Sequence, residues 1–431
     1  MNLIERFQNN IPFEVQKILT LCSSAAEKLG INIFLVGGIV RDILLDKSGF
    51  DIDITVEGNA VNFAKFLSRE FPETCSIKSV HDDFKTAKVI FKLKKNDIEI
   101  DFASTRTEYY KAPAALPTLK KAGVSLKEDI ERRDFTVNTL AVSLNRSNFG
   151  TLIDYVGGYS DLQNKSLKIL HSQSFIDDPT RIIRGLKFRV RFDFEMEQET
   201  KNLQEECIKK GIFDMLCGER VKSELKQTLN LNSPKAFDWL IKESIYRLLN
   251  PAIKTKELPE SLKITEIIEK NISELKNKEF IWLIYLCLLL GALELGEISR
   301  TISKLNISGV ETRIILDYKD ILQNQDKLKG DISRFEIYDF FVKYSKEAIL
   351  AFKASCVEHI ICKKISLFLN ELQYITISST GKTLIDLGFL PGPTFSDILK
   401  ELHKNKVNGM LSTQEDEIKF LRNLIEKSNL N

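Results

Sequence analysis

The stretch Phe34-Leu-Val-Gly37-Gly38-Ile-Val-Arg41-Asp42, followed by Asp51-Ile-Asp53-Ile-Thr-Val, holds residue types suited to phosphate and metal chemistry. An apolar strand over Ile33–Val36 runs into a Gly-Gly turn, and a helix carrying Arg41 opens there. Glycine lets the backbone approach a ligand closely, and the free N–H groups of a helix N-terminus suit phosphate. On the next strand Asp51 and Asp53 are two apart, so they share a face. Neighbouring carboxylates repel unless a cation lies between them, and Mg2+ is typically held by one or two carboxylates together with substrate phosphates. Alone, a Gly-Gly pair is a turn and an Asp-x-Asp a solvated strand edge. In this order and this close, they read as a nucleotide-plus-metal site: Gly37, Gly38 and Arg41 for the nucleotide, Asp51 and Asp53 for Mg2+.

Two further clusters follow. Arg132-Arg133-Asp134-Phe-Thr-Val-Asn138 lies within Glu128–Leu144, which reads as a helix. Asp134 and Asn138, four apart, then face the same way, and a carboxylate with an amide can hold both hydroxyls of a ribose. Asp177-Asp178-Pro179-Thr-Arg181-Ile-Ile-Arg184-Gly-Leu-Lys187 opens a second helix. Steps of three from Asp178 through Arg181 and Arg184 to Lys187 form one slowly drifting stripe. It suits a nucleotide whose base meets the acid end and whose phosphates meet the cations. An Asp acceptor beside an Arg donor matches the edges of cytosine and adenine and mismatches those of uracil and guanine. Asp178 also suits the N-cap of a helix starting at Pro179, so capping and base reading stand side by side.

Together these three stretches resemble the class II tRNA nucleotidyltransferase and bacterial poly(A) polymerase family, in the family's order across residues 30–230. The resemblance implies an α+β chain, with a small mixed-sheet nucleotidyltransferase head followed by an elongated all-α neck, body and tail. Its divisions fall at 1–165, 166–235, 236–377 and 378–431. It implies template-independent transfer from CTP and ATP to a tRNA 3′ end as CCA, with two Mg2+ ions on Asp51 and Asp53. By the same resemblance Arg133 contacts the triphosphate, Asp178 and Arg181 the base, and residues 378–431 the tRNA. The family's Glu-Asp-x-x-Arg carries Asp177 in its first position here, one methylene shorter. Enzymes that add only the terminal A, and poly(A) polymerases, share these motifs. A silent nucleotide-binding module would need neither both carboxylates nor the whole stripe.

Around these clusters, residues 12–29 and 59–71 read as helices. Residues 86–93 and 97–103 alternate as half-buried strands joined by a turn at Lys94–Asp97. Asp101 on the second of these strands is either a third acid near the first two or a local ion-pair partner. From Ser104 to Ser125, Pro113, Pro117 and Gly123 punctuate a segment too long for an ordinary connector. It resembles the family's flexible loop, with Arg106, Glu108 and Tyr109 at its root. A last short strand is expected at 151–155. Beyond it helical periodicity dominates, with helices expected near 179–191, 197–210, 219–229, 235–247, 264–273, 279–293 and 333–347. Glu219-Arg-Val-Lys-Ser-Glu224 reads as a supporting helix with an Arg220–Glu224 pair. Pro391-Gly-Pro393 precedes a helix starting at Thr394.

The 431 residues contain 62 basic and 60 acidic side chains, so an RNA surface must be a local patch rather than a global excess. Seven cysteines without a C-x-x-C pair argue for reduced thiols and a cytoplasmic protein, with neither disulfide framework nor zinc site. The longest apolar run, Phe280–Leu293, is too short to span a bilayer and suits a buried helix. The sequence leaves the oligomeric state open, a monomer included.

Overall fold

The computed structural model describes residues 1–47, 51–93, 96–213 and 215–428. Lys94 and Lys95 of the expected turn lie outside the described residues. The chain forms two compact units: Met1–Leu231 with Trp239–Pro251, and Asn232–Asp238 with Ala252–Asn431.

In chain order the first unit begins with helices Ile4–Asn10 (α1) and Phe13–Leu29 (α2), strand Asn32–Val36 (β1) and helix Gly38–Leu44 (α3). Strand Ile52–Glu57 (β2), helix Ala60–Glu70 (α4) and strands Cys75–His81 (β3), Thr86–Phe91 (β4) and Ile98–Ser104 (β5) follow. Next come strands Arg106–Tyr110 (β6) and Pro117–Ala122 (β7), helix Leu126–Glu131 (α5) and strands Ala141–Ser143 (β8) and Leu152–Ile153 (β9). Helices Gly158–Gln163 (α6), Ser174–Asp177 (α7), Thr180–Phe192 (α8), Gln198–Lys210 (α9), Gly218–Leu229 (α10) and Pro234–Lys242 (α11) complete the elements used below.

Seven strands form one mixed sheet in the order β3-β4-β5-β2-β1-β8-β9. Only β2 and β5 run parallel, a geometry that needs a crossover connection; α4 within that crossover packs on β3, β4 and β5. Phe63 of α4 meets Phe102 of β5 edge to face at 5.5 Å between centroids, and both are fully buried. Burial of aromatic surface of this size dominates such a core. The parallel β2–β5 register sets Asp53 beside Asp101. The antiparallel β1–β2 register sets Val36, just before Gly37, beside Asp53.

Three sequence expectations are corrected here. Residues 104–125 are largely a β-hairpin, β6 paired antiparallel with β7, whose register runs from Arg106↔Ala122 to Tyr110↔Pro117. The prolines sit where a hairpin tolerates them, Pro113 at the tip and Pro117 at the first position of β7. Glu128–Leu144 is not one helix: α5 ends at Glu131, and a 3-10 turn covers Thr136–Asn138 before β8. Every residue from Phe135 to Leu144 is buried, a pattern that a helix with one apolar stripe does not give. The expected helix at 333–347 is two, Arg334–Phe341 and Lys346–Ser355. Strand β3 was not anticipated.

The second unit is helical among its described residues. All ten residues of helix Ile281–Leu290 are buried, including Trp282 and Tyr285. No described helix is long and apolar enough to cross a membrane. Helices Gly381–Asp386, Thr394–Val407 and Gln414–Ser428 close around Leu384, Leu402 and Leu421. There Glu417, fully buried, accepts the N–H groups of Ser378 and Ser379 and pairs with Lys406.

Candidate active site

Within the first unit a cleft of about 720 Å3 gathers residues from β1, β2, β5, the β6–β7 hairpin, α8 and α10. It contains Gly37, Gly38, Arg41, Asp53, Arg133, Asp134, Asn138, Asp178, Arg181, Arg184 and Lys187, eleven of the twelve residues singled out in the sequence. Asp51 is the twelfth. It is exposed, immediately ahead of β2, and is not among the lining residues. Asp101 lines the cleft instead, one strand over from Asp53.

Gly37 adopts φ +77°, where a side chain is strained. A Cβ there would lie 3.3 Å from Asp53 Oδ2. The turn therefore brings backbone directly against the carboxylate. Burial pushes Asp53 up to about 6, and the charges of Asp101 and then Asp51 push the same way. That is the electrostatic signature of a site short of positive charge. Asp101 also pairs with Lys88 at 3.1 Å, so both readings of this residue describe part of its surroundings. Among the described residues no group of three or more His, Cys, Asp or Glu side chains is arranged as a metal cage. The oxygen-only donor pair nevertheless suits Mg2+, which relies on few protein carboxylates.

Asp134 and Asn138 meet although no helix joins them: Asn138 Nδ2 donates to Asp134 Oδ1 at 3.0 Å. Arg41 donates to Asn138 Oδ1 at 2.7 Å and fixes the other end of the amide. Arg41 is itself buried, paired with Asp42 at 2.7 Å, and lies over the rings of Phe188 and Phe192. Its guanidinium braces the Asp134–Asn138 pair. Burial disfavours the Asp134 charge, but Arg184 and the Asn138 amide outweigh it and hold the carboxyl below its usual range.

Asp129, fully buried, accepts from Arg132 (2.7 Å), Arg133 (2.9 Å) and the Arg106 N–H (2.9 Å). This one carboxylate aims both arginines and anchors the hairpin root. Glu108 adds pairs to Arg106 at 2.7 Å and Arg132 at 3.6 Å.

At the far end Asp178 uses both oxygens. Oδ1 accepts from the N–H (3.2 Å) and hydroxyl (2.5 Å) of Thr180, capping α8, while Oδ2 pairs with Arg220 of α10. Arg181 donates to Ser174 Oγ (2.5 Å), the Arg132 carbonyl (2.8 Å) and Tyr110 Oη (3.4 Å). The stripe is also neutralised: Glu224 of α10 takes Arg184 at 3.1 Å and Lys187 at 2.5 Å, and Gln227 takes Lys187 at 2.9 Å. The Arg220–Glu224 pair expected from spacing is thus replaced, because both side chains turn to α8. Sequence reasoning passed over Tyr110, Asp129, Arg220, Glu224 and Gln227 as site residues. The spacing of Arg220, Ser223, Glu224 and Gln227 is one helical face and was the available signal for α10.

Residues 33–168 match the poly A polymerase head domain. The A-adding tRNA nucleotidyltransferase of Geobacter sulfurreducens is 32% identical over 439 residues, which cover 99% of this chain and 49% of that protein. This chain therefore spans about half the length of that relative. The A-adding tRNA nucleotidyltransferase of Halalkalibacterium halodurans is 29% identical over 98% of this chain and 95% of its own. A solved structure of the Thermotoga maritima CCA-adding enzyme complexed with tRNA superposes with a TM-score of 0.79 at 25% identity, over 99% of both chains. Residues 33–168 thus carry a poly A polymerase head domain, and the chain as a whole is similar in sequence and fold to A-adding and CCA-adding tRNA nucleotidyltransferases.

Proposed function

We propose that the chain transfers nucleotides, without a nucleic-acid template, from ATP and CTP to the 3′ end of tRNA in the cytoplasm. The carrying observation is the single cleft that joins the Asp53–Asp101 pair, the Asp134–Asn138 pair and the Asp178–Arg181 pair. This order matches an α-phosphate, a ribose and a base laid end to end. The 3′-hydroxyl gives its proton to solvent as its oxygen forms a bond to the α-phosphorus, the bond from that phosphorus to the β-phosphate bridging oxygen breaks, and pyrophosphate leaves. Asp53, with Asp101 and Asp51 beside it, would hold Mg2+, which when bound supplies charge neutralisation at the reacting phosphate. Arg133 is aimed by Asp129 for the triphosphate. Asp134 and Asn138 take the ribose hydroxyls. Asp178 and Arg181 read the base, and Arg184 and Lys187 exchange Glu224 for phosphate. Residues 1–165 then act as head, 166–235 as neck, 236–377 as body and 378–431 as the tail that meets tRNA.

Two relatives named as A-adding, at 29% and 32% identity, favour a second reading in which only the terminal A is added. The test offers tRNA lacking CCA, tRNA ending in CC, and a generic RNA, each with single nucleotides. CTP incorporation on the first substrate together with ATP incorporation on the second establishes CCA addition. ATP incorporation on the second alone establishes A addition. Long tails on generic RNA, or no product at all, overturn both.

A further inference from the structure

We propose that a pocket on the opposite side of α8 from the nucleotide cleft is a second site, built for a phosphate group. Helix α8 shows Arg184, Lys187 and Arg191 to the cleft. Arg189, two residues from both Lys187 and Arg191, projects roughly half a turn away at about 100° per residue, into a separate pocket of about 530 Å3. At its floor the Arg189 guanidinium is buried, lies 4.1 Å from the centroid of the Trp239 ring, and donates to both oxygens of Glu243 at 2.8 and 2.9 Å. Glu243 also accepts from Gln204 Nε2 at 2.8 Å, so its charge is spent on the floor itself.

The floor is nevertheless incomplete. Arg189 Nε is buried with no hydrogen-bond partner among the described residues. An unsatisfied donor on a buried charged group is costly and calls for a bound water, ion or ligand. The walls indicate which. Lys201, Lys209, Lys242 and Arg247 line the pocket against Glu195 and Glu205. With Lys242 engaged by its own partner, Lys201, Lys209 and Arg247 exceed the two acids by one cation once the Arg189–Glu243 pair cancels. Lys201, Lys209 and Arg247 make no ion pair among the described residues. A phosphate group carries a charge of comparable size and several strong acceptor oxygens, and guanidinium is the side chain best matched to it. The same chemistry is offered by free inorganic phosphate and by an RNA backbone.

The experiment uses the intact protein with its nucleotide cleft saturated by a non-hydrolysable ATP analogue. Inorganic phosphate is titrated against chloride at constant ionic strength by calorimetry, in wild type and in the combined variant Lys201→Gln, Lys209→Gln, Arg247→Gln. None of these residues lines the main cleft, so the KM for ATP should stay within about twofold. The expected result for a free-ion site is one phosphate bound by wild type and at least about tenfold weaker binding by the variant. tRNA affinity is then measured across a salt series. An RNA-backbone source appears instead as weaker tRNA binding by the variant with a shallower salt slope, by about one unit per lost phosphate contact. A variant that matches wild type in both phosphate binding and tRNA salt slope overturns the site and leaves only a solvent-filled pocket.

Discussion

Asp53 concentrates the electrostatics of the site. Its carboxyl is pushed up to about 6, by burial first and by Asp101 and Asp51 next, from an ordinary value of 3.8. A carboxyl raised on folding ionises more readily in the unfolded chain, so its contribution to stability falls as pH rises from about 4 to about 6 and stays lost above. The loss is at most about 3 kcal/mol. Asp53→Asn is expected to raise the melting temperature of metal-free protein at pH 7.5 by several degrees, to change it little at pH 4, and to abolish transfer. A variant melting like wild type at both pH values would contradict this assignment. Asp178 gives a second test at the same scale, because its oxygens have separate duties. Asp178→Asn keeps an oxygen for the Thr180 cap but loses the charge facing Arg220. If Asp178 reads the base, the new amide can donate to a carbonyl, and the kcat/KM preference for ATP and CTP over UTP and GTP should shrink by an order of magnitude or more. Ratios unchanged across the four nucleotides would leave Asp178 as a cap.

At the level of elements, the turn between β1 and α3 and the carboxylate Asp129 do the positioning. Gly37→Ala places a methyl group 3.3 Å from Asp53 Oδ2 on a backbone at φ +77°. It is expected to cost about 1–3 kcal/mol of stability through strain and to lower kcat by at least about 100-fold, as small displacements of reacting groups do. Wild-type kcat in this variant would show that the close approach is incidental. Asp129→Ala strands Arg132 and Arg133 and frees the hairpin root in one step. Breaking a buried pair this way costs about 3–5 kcal/mol, which denaturant unfolding should register. Asp129→Asn, which can still accept from the Arg106 N–H, is expected to lose less stability while raising the KM for ATP. Equal losses in the two variants would remove Arg133 from the triphosphate.

For the whole molecule, near-balanced charge means that the proposed tRNA substrate would be held by patches. Affinity for tRNA should fall steeply with salt, since each phosphate contact releases counterions. Removal of residues 378–431 should weaken tRNA binding by at least about tenfold and leave ATP binding in the first unit within about twofold. These residues have their own small core around Leu384, Leu402 and Leu421, and they also cover Phe335, whose N–H donates to Asn408 Oδ1 at 2.9 Å. A truncated chain should therefore melt somewhat lower as well. Unchanged tRNA affinity would remove the tail from tRNA recognition.

The sequence by itself determined what is local and periodic. The Gly37-Gly38 pair declares a turn, in which Gly37 takes the positive-φ backbone that side chains disfavour. The apolar run at 280–293 declares a buried helix, and the step of three from Asp178 to Lys187 declares one helical face. It also brought Asp134 and Asn138 together, though for the wrong reason, since a 3-10 turn and the Arg41 brace do what a helix was expected to do. Only the tertiary structure decided the contacts made across sequence distance. The parallel crossover set Asp101 beside Asp53 in the cleft. The hairpin was hidden because its prolines and short, half-exposed strands carry no clear alternation. The packing of α10 on α8 turned Arg220 and Glu224 from partners of one another into partners of Asp178, Arg184 and Lys187. Charges four residues apart gain little on an exposed helix, a few tenths of a kcal/mol or about 0.5. A partner in a half-buried cleft, where water no longer screens the interaction, offers more, and only the fold says where that partner is.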